Sequence, residues 1–237
     1  MNFLKNPHHY LLAGCLFFAA TNVFAVPIVF NSTEYSAFAD VELGSASSGL
    51  VSKTNPPNPL PLLAVTTLAN GSNTSTATGQ ANTGLLNAST NVTSLDAFTA
   101  ATSGAGFEAK FTGTGDRVDF LLNFINSSSF NTGTAGADLF VTLVSGTTTL
   151  LDQAFKTSQS NFARSFILAA GSSNIFNIQL ISSADAFGDG KTSAFGSNNA
   201  RASFSLNAVP QKLPEPGIAW LVLGGLGLLA WSRRKMS

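Results

Sequence analysis

The sequence predicts a mostly β fold: an antiparallel β-sandwich or jelly-roll-like ectodomain, set between an N-terminal signal helix and a single C-terminal hydrophobic helix. Three observations predict it. Apolar and polar residues alternate over much of the central chain, which places one side of a strand on a core and the other in water. The alternating runs are short and divided by Gly, Asn and Ser, as in sandwiches of many strands. Phe occurs 20 times while both Trp lie near the C-terminus, so the core is expected to be built from phenyl rings.

Residues 26–30 read as a first strand, followed by a polar segment over 31–40. Asn55-Pro56-Pro57-Asn58-Pro59-Leu60-Pro61 can neither be helical nor sit in a central strand, because proline fixes φ and lacks a donor; it reads as a stiff surface connection. Residues 62–68 form a short strand. Residues 69–83 hold Asn, Gly, Ser, Thr, Ala and Gln without an apolar period, and read as an exposed loop or a local disordered linker. A helix over 85–101 is disfavoured by its Thr and Asn content, leaving strand and loop. From there period two dominates: Phe107, Ala109 and Phe111; Val118, Phe120, Leu122 and Phe124; Leu139, Val141 and Leu143. Residues 147–155 can pair back across Ser145-Gly146. Residues 162–168, then Phe176, Ile178 and Leu180, then Ala202, Phe204, Leu206 and Ala208 complete the set.

Both ends differ from this body. Lys5, an apolar run over 10–20 and Val23-Phe24-Ala25 read as a secretory signal (residues 1–25) cut between Ala25 and Val26. Leu12-Ala13-Gly14-Cys15 looks like a lipoprotein lipobox, but only about five apolar residues precede Cys15, where such a region needs about 7–15. At the other end, a Pro-rich linker over 209–217 precedes the fourteen uncharged residues of 218–231, followed by Arg233, Arg234 and Lys235. As a helix, 218–231 reaches roughly 21 Å, short of the bilayer's hydrocarbon core of about 30 Å. Its basic end is expected in the cytoplasm. That length reads as a handling signal rather than a permanent anchor.

Pro214-Glu215-Pro216, the short apolar helix over 218–237 and its basic cluster together resemble the PEP-CTERM sorting tail of bacterial surface proteins. The resemblance covers about a tenth of the chain. It implies processing by an exosortase, an integral-membrane transpeptidase that removes such tails during export of exopolysaccharide-associated proteins. Pro214, Glu215 and Pro216 would then be the recognition motif, 218–231 the transient inner-membrane segment and Arg233, Arg234 and Lys235 the stop-transfer cluster. The implied destination is the cell surface or extracellular matrix.

The body between the ends, residues 26–208, is defined by what it lacks. His8, His9 and Cys15 are the chain's only histidines and cysteine, and all precede the cleavage point. Nucleophilic catalysis with an imidazole base, His/Cys zinc sites and disulfides are thereby excluded from the exported body. Over 26–212, eight Lys/Arg stand against eleven Asp/Glu, about −3 in charge, the opposite of a nucleic-acid footprint. No cofactor and no catalysis are expected. A non-catalytic matrix protein is the first reading and a carbohydrate-binding module the alternative; the latter predicts a Phe-lined or polar groove.

Three local patterns have spacings that resemble functional sites. Asp185-Ala186-Phe187-Gly188-Asp189-Gly190 resembles part of a calcium loop but lacks the downstream acid, so a polar hairpin turn is expected. Asp116 and Asp119 could serve a glycosidase only across a shared cleft, and Glu108 with Asp138 is a second such pair to be tested against a fold. Asn-x-Ser/Thr triplets at Asn31, Asn70, Asn73, Asn87, Asn91 and Asn126 follow from a composition rich in those residues.

Overall fold

The computed structural model describes residues 26–210, and within them strand follows strand with no helix. The strands are β1 (Val26–Pro27), β2 (Ser32–Leu43), β3 (Ala46–Ser47), β4 (Val51–Asn55), β5 (Leu62–Asn70), β6 (Asn73–Asn82) and β7 (Leu85–Ser94). They continue as β8 (Phe98–Thr112), β9 (Arg117–Phe130), β10 (Thr134–Ser145), β11 (Thr148–Phe155), β12 (Gln159–Ile167), β13 (Ser173–Phe187) and β14 (Ala194–Val209). Two antiparallel sheets result. The first runs β12-β9-β14-β7-β6-β5 with β1 off that path; the second runs β11-β10-β13-β8-β2-β3, with β4 also on β2.

Alternation on each strand buries one side of each sheet, and the character of that side changes along its length. At one end Phe107, Phe111, Phe120, Phe124 and Phe176 are buried with Leu139, Val141, Leu143, Ile178 and Leu180. Their rings touch: Phe120–Phe176 at 5.3 Å, Phe107–Phe204 at 5.3 Å and Tyr35–Phe107 at 4.8 Å between centroids. Toward the other end β8 and β13 switch to Ala101, Ser103, Ser182 and Ala184. There the sheets come close enough to hydrogen-bond across the core. Ser75 Oγ donates to the Ala100 carbonyl (2.6 Å), Ser103 Oγ to the Ser89 carbonyl (3.0 Å), and Ser182 Oγ to Asn198 Oδ1 (2.8 Å). A Cβ on Gly79 would collide with the carbonyl oxygens of Gly104 and Phe38 in the opposite sheet. Stacked sheets usually lie about 10 Å apart, so the sandwich is wedge-shaped, wide at the phenyl end and narrow at the alanine end.

The predicted β architecture is present, with four local corrections. Residues 31–40 form most of β2, with Tyr35, Ala37 and Ala39 facing inward. Residues 69–83 are largely β6, a central strand burying Ser75, Ala77, Gly79 and Ala81. Apart from Tyr35 and Asn73, the buried positions in both are Ala, Gly or Ser, which carry no hydrophobic period yet are the side chains a narrow interlayer space admits. The expected first strand is only the two residues of β1. Gly188-Asp189-Gly190 is no hairpin turn, because β13 and β14 belong to different sheets and the segment crosses between them.

Other readings stand. Strands β7 and β8 occupy 85–101 with a break, β10 and β11 pair across Gly146 (φ 59°), and the Pro-rich stretch links β4 to β5. In that link Asn58 Nδ2 donates to the Thr54 carbonyl at 2.9 Å. The signal over 1–25, including Ala25, and Pro214, Glu215, Pro216, the helix over 218–231, Arg233, Arg234 and Lys235 lie outside the described residues.

Candidate functional site

The outward side of the second sheet carries polar rows at its centre. Glu34 on β2 stands opposite Glu108 on β8, which stands opposite Asn177 on β13 and, beyond it, Thr142 on β10. The next row reads Ser36, Gly106, Gln179 and Phe140. Directly opposed side chains in antiparallel strands have Cβ atoms about 4.5–5.5 Å apart, so these groups form one continuous polar surface. Between the rows lies a shallow groove of about 170 Å³, lined by Glu34, Ser36, Gly106, Phe107, Glu108, Asn177 and Gln179.

Two glycines make the depression. At Gly106 no Cβ fills the middle of β8, and one placed there would lie 2.7 Å from Ser36 Oγ. At Gly104 the ring of Phe38 occupies the space a side chain would need, which sets a phenyl at one end of the groove. Phe140, 40% exposed, flanks the other side. Behind the floor, Tyr35 is buried against Phe107, and that burial pushes its phenol above the usual tyrosine range. Glu108 is not alone, since Lys110 Nζ lies 3.4 Å from its Oε1.

The surface offers carboxylate acceptors, amides that both donate and accept, two hydroxyls and two phenyl faces. Glu34 and Glu108 are two directly opposed carboxylates. They stand on an open sheet side, however, and not in an enclosed cleft that would set one carboxyl apart as an acid.

The sites anticipated from sequence take other roles. Asp119 receives Ser165 Oγ at 2.7 Å and both Nε and Nη2 of Arg117 at 3.0 Å, and these contacts, Ser165 first, hold its carboxyl below the usual range. Asp116 accepts Thr114 Oγ1 at 2.8 Å. Glu108 and Asp138 are four residues out of register and two strands apart, so they cannot share a substrate. Asp185 accepts the N–H and hydroxyl of Thr134 at 2.7 and 2.8 Å. Asp189 accepts the backbone N–H groups of Thr192 and Lys191 at 2.8 and 2.9 Å, which lower its carboxyl, Thr192 first. Asp189 braces its own turn, while Asp185 ties the start of β10 to its partner strand β13. Among the described residues no group of three or more His, Cys, Asp or Glu is placed to hold a metal ion. Of the Asn-x-Ser/Thr triplets, Asn73 is buried, its Nδ2 on Asp96 Oδ1 and its Oδ1 accepting the Leu95 N–H, both at 2.7 Å.

Sequence reasoning missed Glu34, Ser36, Asn177 and Gln179 as one group. Its one usable signal was the polar alternate positions of β13, where Asn177 and Gln179 separate Phe176, Ile178 and Leu180.

No family model and no curated protein matches the chain. Among solved structures, TmCBM61 in complex with β-1,4-galactotriose aligns over 56% of this chain and 86% of its own, at 8% identity and a TM-score of 0.21. The structure of infectious bursal disease virus Gx strain aligns over 85% of this chain and 74% of its own, at 9% identity and a TM-score of 0.17. At such scores the strand layouts are only loosely alike.

Proposed function

We propose that the chain is an exported, non-catalytic protein of the bacterial surface or extracellular matrix, whose β-sandwich holds exopolysaccharide on the outward side of its second sheet. Its export rests on the signal and on the PEP-CTERM-like tail, with exosortase as the processing partner. Binding rests on one observation: acceptors and amides from β2, β8 and β13 converge on a glycine-floored groove. Sugar hydroxyls both donate and accept, so neighbouring carboxylates and amides can engage adjacent hydroxyls on one ring. An open, shallow groove suits a polymer passing over it, whereas small-molecule sites are usually deeper pockets of about 300–1,000 Å³.

Affinity electrophoresis through gels containing the host's exopolysaccharide tests the binding. The wild-type protein is expected to be retarded, and N177A/Q179A to migrate with at least about tenfold weaker affinity while keeping its unfolding midpoint, since both side chains face outward. Equal retardation of the two proteins would remove the groove from the proposal. For the tail, intact mass from the host with and without its exosortase gene is decisive. Loss of the first 25 residues and of everything beyond about Pro216, only when the gene is present, is the expected result. An intact C-terminus in both strains would leave a tail-anchored protein.

A further inference from the structure

Charge is distributed unequally between the two sides of the sandwich. Glu34, Asp40, Glu42, Glu108, Asp138 and Asp152 all occupy outward positions of the second sheet, each between or beside residues that point inward. Lys110 is the one cation at an outward strand position of that sheet among the described residues. The three arginines among the described residues, Arg117, Arg164 and Arg201, belong to strands of the first sheet. The groove therefore lies in a negative field that its own side does not neutralise.

Within the groove, Glu34 and Glu108 face each other directly, an unfavourable placement for two like charges. Lys110 sits against Glu108 at 3.4 Å and shows where an ammonium settles on this surface. Among the described residues no comparable ammonium reaches Glu34. A cation placed between the two carboxylates would relieve their repulsion, while an anionic polymer would meet it in full.

We propose that the groove selects polysaccharides whose sugars carry free amino groups, a partly de-N-acetylated amino-sugar polymer, over neutral and uronate-bearing chains. This rests on the glycan-binding reading and narrows it. An ammonium on one ring bridges Glu34 and Glu108, the ring's hydroxyls meet Asn177 and Gln179, and a neighbouring ring passes over Ser36 and Gly106.

Isothermal titration calorimetry of the full-length protein with chitosan oligosaccharides, their fully N-acetylated counterparts and oligo-uronates tests it. Chitosan is expected to bind about tenfold more tightly than the acetylated chain, as two exposed ion pairs would give, with uronates not binding measurably. Raising the salt concentration is expected to shrink that preference. E34Q/E108Q should lose the preference, binding chitosan and the acetylated chain alike. Equal binding of chitosan and acetylated chain by the wild-type protein would overturn the inference and leave the glycan reading standing. A preference that survives in E34Q/E108Q would also overturn it, as a property of overall charge. Failure with all three oligosaccharides together with the host exopolysaccharide would overturn both.

Discussion

Gly79→Ala is expected to destabilise the body by about 3 kcal/mol, read as a lowered denaturant midpoint. Gly79 lies on the inward side of β6, at the narrow end of the wedge, and the added methyl would run into the carbonyl oxygens of Gly104 and Phe38. Those atoms are backbone in a hydrogen-bonded sheet, so no side-chain rotation relieves the clash; the sheets must separate. Separation would also open the interlayer hydrogen bonds from Ser75 and Ser103. The matched control is Gly136→Ala on β10, where an added Cβ meets nothing within 4 Å. That change is expected to be neutral or slightly stabilising, because alanine gives up less backbone freedom on folding than glycine. Similar midpoints for the two variants would mean that the sheets yield at Gly79 and the narrow end is not close-packed.

Phe176→Ala is expected to cost about 3–5 kcal/mol, the range for removing a fully buried ring. Phe176 is completely buried on β13, with ring centroids of Phe120, Phe204 and Phe107 at 5.3, 6.0 and 6.2 Å. Its loss would leave a void bounded by other rings, each held on a strand that hydrogen bonds keep in place. Phe187→Ala, on the same strand but 63% exposed, is expected to change stability by less than about 0.5 kcal/mol. Equal effects at the two positions would mean that the phenyl end does not anchor the fold.

These substitutions mark the two halves of the core, and only one half was legible beforehand. Phe107, Phe120, Phe176 and their neighbours announce strands because large apolar side chains at alternate positions have one physical reading. The narrow end uses Ala37, Ala39, Ser75, Ala77 and Gly79, whose small side chains look like linker composition until an opposite sheet limits the space. The groove was hidden for a different reason. Glu34 and Asn177 are 143 residues apart in sequence, and only the register of β2 on β8 and β8 on β13 makes them neighbours. No local pattern encodes that register. The carboxylates that did attract notice, Asp119, Asp185 and Asp189, stand out in sequence because turns and ion pairs need them.

Tyr35 gives the groove an optical consequence. Between Met1 and Ala208 the chain has no tryptophan, and its other tyrosine, Tyr10, precedes the proposed signal cleavage point. Tyr35 sits between Glu34 and Ser36 with its ring turned inward onto Phe107, one pleat behind the surface a glycan would cover. Burial raises the phenol above its usual range, so it stays in the neutral, fluorescent form over a wider span of pH. Loss of the tail would remove Trp220 and Trp231, and with them the indole emission that would mask a lone tyrosine. The processed protein would then carry a single tyrosine and no tryptophan, that ring lying behind the floor of the proposed groove.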